Sequence, residues 1–248
     1  MSNRTKGMVG AAVVVVLLIG VGAWYFLFRD DAPEEVSLET ATEQVTESGE
    51  GDSSGDVTTA PTTGIAGTWT VDNESGSFDF ESATGSFAGF RVQEELVSIG
   101  GTEAVGRTGE VTGTIVIDGT TLESAEVEVD MASITTDQSR RDGRVRDALE
   151  VDQFPTATFV LSEPVDLGAG AANGEAVSVE AQGQMTIHGV TRDTTASLQA
   201  QLVDGTAVVV GTVPFTFADY QVEKPSAASV VSVADDAIIE FQLLFTPS

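Results

Sequence analysis

The 248-residue chain has no cysteine, a single histidine and only 11 basic residues against 39 acidic ones, for a formal charge of −28. Each shortage excludes something. Without Cys there is no disulfide, no thiolate nucleophile, no iron–sulfur cluster and no Cys-based zinc site. One His cannot build a His-rich metal centre, and no acidic segment has the spacing of a calcium-binding loop, so neither a metal nor a cofactor is expected. A chain this acidic repels phosphate backbones, which removes nucleic acid from its partners. No repeat with a period of 20–50 residues occurs either, which argues against propellers and solenoids.

What is present begins with an uncharged run of 22 residues, Gly7 to Phe28. As a helix it would span about 33 Å, enough for a bilayer core of roughly 30 Å. Arg4 and Lys6 precede it, and Trp24 and Tyr25 sit where an interfacial aromatic belt would put them. A cleaved signal peptide has a shorter apolar region and a small-residue cleavage site, whereas this run closes on Trp-Tyr-Phe-Leu-Phe. Residues 1–29 therefore read as a single-pass signal anchor with a cytoplasmic N-terminus and an extracytoplasmic remainder, placed in the cell membrane. Residues 30–64 hold ten acids and no base and show no hydrophobic periodicity, the composition of a disordered tether. Gly51-Asp52-Ser53-Ser54-Gly55 fits a hydrolase nucleophile-elbow pattern, but such a segment supplies neither the strand-to-helix turn nor the positioned His that the motif needs.

From residue 65 to residue 248 the pattern changes to short stretches with period-two alternation. In Leu122–Met131, Ala125, Val127, Val129 and Met131 share one face while Glu126, Glu128 and Asp130 share the other. Val177–Ile187 and Thr194–Leu202 repeat the scheme, and similar runs occur at 69–72, 87–97, 111–117, 156–162, 207–217, 229–234 and 238–245. This is the signature of antiparallel strands with one wet and one dry face. One segment, Thr136 to Leu149, breaks the alternation and reads as a short helix. The expected fold is all-β: an extended antiparallel β-barrel, lipocalin-like, with one short helical connection and a preceding transmembrane helix, since closure removes exposed strand edges. The dry faces mix small residues (Ala181, Gly183, Ala196, Ala200) with large ones (Met185, Ile187, Phe215, Phe217), which suits either an open apolar cavity or an interdigitated, filled interior.

Three motifs then resemble one family. Gln184-Met185-Thr186-Ile187-His188-Gly189-Val190-Thr191-Arg192 is similar to the L-T-I-H-G-V-T-[KR] signature of YceI-like, polyisoprenoid-binding proteins. Asp152-Gln153-Phe154-Pro155-Thr156-Ala157-Thr158-Phe159 resembles that family's strand entry, and Ser133-Ile134-Thr135-Thr136 with Arg141-Asp142 and Leu149 resembles its helical connection. The resemblance covers about residues 67–246. It implies a barrel whose apolar tunnel holds an isoprenoid chain such as a polyprenyl lipid or quinone, with no reaction chemistry. Asp72-Asn73-Glu74-Ser75-Gly76-Ser77-Phe78 lacks the His that many members carry in the first strand, so no role of that His transfers. Phe90-Arg91-Val92-Gln93-Glu94-Glu95-Leu96 and Gly106-Arg107-Thr108 resemble instead the membrane-anchored actinobacterial branch.

The cavity candidates are Phe87, Phe90, Phe154, Phe159, Met185, Ile187, Phe215 and Phe217. Headgroup candidates are Arg140, Arg141, Arg144 and His188; the arginines suit either a headgroup clamp or pairing with nearby carboxylates, and His188 either a cavity mouth or a hydrogen-bonded hairpin. No residue set has the nucleophile and base of an enzyme. After residue 64 there are 29 acids and 8 bases, a charge of −21, so a neutral or weakly charged headgroup is expected. The function expected is non-enzymatic binding or carriage of an amphipathic isoprenoid lipid. The alternative is an envelope-stress or protein-interaction module with a filled barrel. Partners are the lipid and the membrane, with a homodimer left open.

Overall fold

The computed structural model describes residues 32–49, 64–97, 100–224 and 230–248. The expected anchor, the Gly51–Gly55 motif and the rest of the tether lie outside these residues. Among the described residues no helix is long and apolar enough to cross a membrane.

Twelve strands form one antiparallel sheet that closes on itself. β1 (Gly67–Val71) pairs on one side with β4 (Val111–Asp118) and on the other with the end of β12 (Val230–Pro247). The ring continues from β4 through β5 (Thr121–Asp130), β7 (Thr156–Leu161), β9 (Val177–Ile187), β10 (Val190–Val203) and β11 (Thr206–Thr216) to β12. That makes an eight-stranded barrel. β2 (Phe87–Leu96), β3 (Gly100–Thr108) and β6 (Thr135–Thr136) prolong β1, β4 and β5 toward one end, while the two-residue β8 (Val165–Asp166) adds to β5 at the other.

The two ends differ. At one, Ile65, Trp69, Ile115, Ile117, Leu122, Ala171 and Phe245 pack into a solid plug, with the Trp69 indole N–H donating to the Ile65 carbonyl (2.9 Å). At the other, β6 pairs with β3 and stops there among the described residues, and α2 (Ser139–Ala148) follows it. A carboxylate sets the start of that helix: Asp142 accepts from the Thr136 N–H and hydroxyl, each at 2.7 Å. The tightest turns use positive φ where the sequence tolerates it. Asp204-Gly205 and His188-Gly189 both form two-residue hairpin loops with φ > 0 at each position, the geometry that matches strand twist.

Three expectations need correction. The acidic stretch expected to be disordered from residue 30 is ordered over 32–49 and contains a helix, α1 (Leu38–Gly49), packed on the outside of β10 and β11. Leu38, Ala41 and Val45 recur at helical spacing, and Ala41 is completely buried against Val208, Val210 and Leu244. A twelve-residue helix is marginal alone in water, so this one depends on that barrel face and composition could not reveal it. Among the described residues, the connection α2 is thus one of two α-helices. The glycine-rich β3 was absent from the alternating runs, and two expected strands at 229–245 are one long, bulged β12.

Candidate functional site

Alternation fixes which side chains enter the barrel. On β2 the inward row is Ala88, Phe90, Val92 and Glu94; on β12 it is Ile239, Phe241, Leu243 and Phe245. These rows, with Val127, Val129, Leu198, Val209 and Val213, enclose a cavity of about 250 Å³. Its wall is almost wholly apolar, and its charged lining is confined to Glu94, Arg141 and Arg144 beside α2.

The cavity stays open because its aromatic rings lie along the wall and not across it. Phe90 is paired with Gly106 and Phe241 with Gly211, each on the neighbouring strand. A Cβ on Gly106 would meet the Phe90 ring at 2.4 Å, and one on Gly211 would meet the Phe241 ring at 2.6 Å. Gly183, paired with Leu161, makes room diagonally for Phe159, whose ring a Cβ there would meet at 2.3 Å. The inward glycines are therefore slots for rings of adjacent strands, and the barrel axis is left free. Of the two sequence readings, the filled interior is not what the barrel has: rings interdigitate with the wall, but the lumen remains.

Helix α2 lies at the open end and turns Val145, Ala148 and Leu149 into the lumen. Arg141 is compensated twice, by Glu94 (2.6 Å) and by Asp137. Arg144 also lines the cavity, is exposed, and has no carboxylate partner among the described residues. One unneutralised guanidinium thus stands at the mouth.

Of the sequence candidates, Phe90, Phe159, Met185, Ile187, Phe215, Phe217, Arg141 and Arg144 line this cavity. Phe87, Phe154, Arg140 and His188 do not. Phe87 is three residues from Phe90, so on a strand it faces the opposite way, where the Arg107 guanidinium lies over its ring at 4.6 Å. Phe154 precedes β7 and packs edge-on against His188, with ring centroids 4.8 Å apart. His188 Nδ1–H donates to the Tyr220 carbonyl at 3.2 Å, and its buried Nε2 is 3.4 Å from a Glu150 oxygen: it pins a hairpin to the 217–222 turn. Arg140 projects from the solvent side of α2. Glu94, Met131, Ile134 and Val145 line the cavity and were not candidates; the parity of Phe90 alone would have found Glu94.

A second charged cluster is buried on the outer wall. Glu240, only 1% exposed, accepts from Arg91 Nε (2.6 Å) and Arg107 Nε (2.7 Å), and Arg91 also reaches Glu103 (2.6 Å). Arg91 Nη2 also donates to the Pro33 and Glu34 carbonyls and Arg107 Nη2 to that of Glu34, so the two arginines hold down the segment that precedes α1. Burial alone would lower both guanidinium pKa values. Hydrogen bonds and charge from Glu240 and Glu103 carry Arg91 above its ordinary value, whereas burial prevails for Arg107, with Glu240 opposing it and the Arg91 charge adding to it.

An eight-stranded closed barrel with an apolar lumen and one open end belongs to the class of barrels that can hold one small ligand. The comparisons give the family: the YceI-like domain matches residues 69–245, and the chain belongs to that family. Among solved structures, it is similar to a polyisoprenoid binding domain from Saccharophagus degradans implicated in plant cell wall breakdown, with 24% identity and a TM-score of 0.55 over 73% of this chain and 98% of that one. BcnA of Burkholderia cenocepacia is 21% identical with a TM-score of 0.49, over 63% of this chain and 95% of that one. The Campylobacter jejuni YCEI protein is 18% identical with a TM-score of 0.43, over 56% and 82% respectively. No curated protein matches the chain.

Proposed function

We propose that this protein binds one amphipathic isoprenoid lipid, of quinone or polyprenyl type, with its tail along the barrel axis and its headgroup at α2, and that it catalyses no reaction. The observation that carries this reading is the confinement of charge to one end of an otherwise apolar lumen. Each CH₂ taken from water contributes about 0.8 kcal/mol, so a long tail supplies most of the affinity. The polyisoprenoid binding domain of Saccharophagus degradans, with the same fold, supports the ligand class. Arg141 is neutralised, so Arg144 alone offers a cation at the mouth, against a domain that is strongly acidic; a neutral or weakly charged headgroup is therefore favoured over a doubly charged pyrophosphate. The apolar run Gly7–Phe28 anchors the chain in the cell membrane with the barrel outside, as in the membrane-anchored branch of the family.

Native mass spectrometry and lipid extraction of the full chain test this reading. A co-purifying quinone or polyprenol is expected. No lipid, and no uptake of added quinone or polyprenol, would overturn it, and a pyrophosphate-bearing lipid as the main species would overturn the headgroup assignment.

A smaller effect is expected from Gly106→Ala. The new methyl meets only the Phe90 ring, with no backbone atom among its nearest neighbours, so the ring must swing into the lumen. Quinone binding should weaken about tenfold, the worth of between one and two buried CH₂ groups. Titration of quinone against the barrel's tryptophan emission reads the change, and the urea midpoint should hardly move.

A further inference from the structure

The clamp on the outer wall sets a distance that bears on how the barrel stands at a membrane. Four residues separate Phe28, the end of the apolar run, from Pro33, whose carbonyl is held by Arg91. Even fully extended, the chain from Phe28 to Pro33 reaches no more than about 18 Å. Beyond Pro33 the chain leads into α1, which packs beside Val203 and Val208 at the plugged half of the barrel.

The strands provide the scale. Arg91 lies opposite Ile238. From Arg91 along β2 to Val97 at the mouth there are six residues, about 20 Å at the usual strand rise. From Ile238 to Pro247 at the plugged end there are nine, about 30 Å. With barrel strands tilted by about 40°, these become roughly 15 and 23 Å along the axis. A reach of about 18 Å covers the first and falls short of the second.

The mouth carries a matching feature. Val97 and Val231, beside the paired Leu96 and Val230, are 69% and 58% exposed, so two adjoining strand ends present apolar tips on one lip. Single exposed apolar residues are ordinary, but two on one lip, at the end of the barrel that lies within the chain's reach from the clamp, form a contact for an apolar surface.

We infer that the barrel stands mouth-down, with its Val97–Val231 lip resting on the surface of the bilayer that holds the chain's own apolar run. This rests on the anchoring proposed above. It gives the lipid a route from bilayer to lumen that need not cross water.

Because the chain lacks cysteine, single labelling sites are clean. Full chains carrying Val97→Cys, Val231→Cys, Asp118→Cys (plugged end) or Glu126→Cys (flank) would each take an environment-sensitive thiol dye and be reconstituted into phosphatidylcholine vesicles. Emission from positions 97 and 231 is expected to shift to the blue and to be quenched by doxyl-labelled phosphatidylcholine, with 118 and 126 unaffected. Quenching at 118 or 126, or at no position in chains that float with the vesicles, would overturn the orientation alone. Chains that fail to float would overturn the anchoring as well. Inserting about 20 Gly/Ser residues between Asp31 and Ala32 adds a span of about 25 Å and leaves the fold untouched. Quenching at 97 should then fall, and its persistence would overturn the tether's part in the arrangement.

Discussion

Replacing Ala157 by tryptophan is expected to weaken binding of a quinone or polyprenol roughly a thousandfold. Ala157 lines the cavity opposite Val129 in the mouth-side half of β7, where an indole has only the lumen to occupy. Expelling one five-carbon unit of the tail forfeits about 4 kcal/mol at 0.8 per carbon, which is close to three decades in Kd. Overpacking costs the fold about 1–3 kcal/mol, so the protein remains folded and the loss can be read as loss of binding. Val160→Trp, on the same strand but on its exposed outer face, is the control and should bind as the native protein does. Equal binding by both variants would mean that the lumen is not the ligand's place.

Glu240→Ala should be the most destabilising single substitution on the outer wall, by about 3–5 kcal/mol. Its carboxylate bridges Arg91 and Arg107, both about 5% exposed or less, and removing it leaves two buried cations with one remaining carboxylate, Glu103. The same loss frees the guanidinium groups that hold Pro33 and Glu34, so α1 should loosen from β10 and β11 in the same variant. Urea denaturation followed by emission of the buried Trp69 gives the first number, and amide exchange over residues 38–47 gives the second. Glu95→Ala, an exposed carboxylate on β2, should stay within about 0.5 kcal/mol of the native protein. A comparably small effect at Glu240 would show that the cluster does not hold the strap.

Much of the barrel was legible in the sequence because a strand writes its faces into it. A period of two names the inward row of each strand, and Met185, Ile187, Phe215 and Phe217 were placed on the lining side by parity alone. The same rule, applied to Phe87 and Phe90 together, would have separated them. Phe154 misled for another reason: it belongs to a family motif but precedes its strand, so it has no face to inherit, whereas His188 takes the hairpin place that was one of its two readings. α1 was invisible because three apolar residues among acids stabilise a helix only against a surface built from Val208, Val210 and Leu244.

Most of the strands, their dry faces, the short helix after Thr136 and the acidic character are written in neighbouring residues, and the sequence alone was enough to read them. Whether the interior would be filled was decided only on closure. Phe241 meets Gly211, and Phe90 meets Gly106, across strands distant in the chain, and those pairings turn the rings along the wall and keep the axis open. Arg91 and Glu240, 149 residues apart, are likewise harmless charges in sequence and a buried clamp in the fold. A local pattern fixes which way a side chain faces, but what it finds there depends on strands that only the closed barrel brings together.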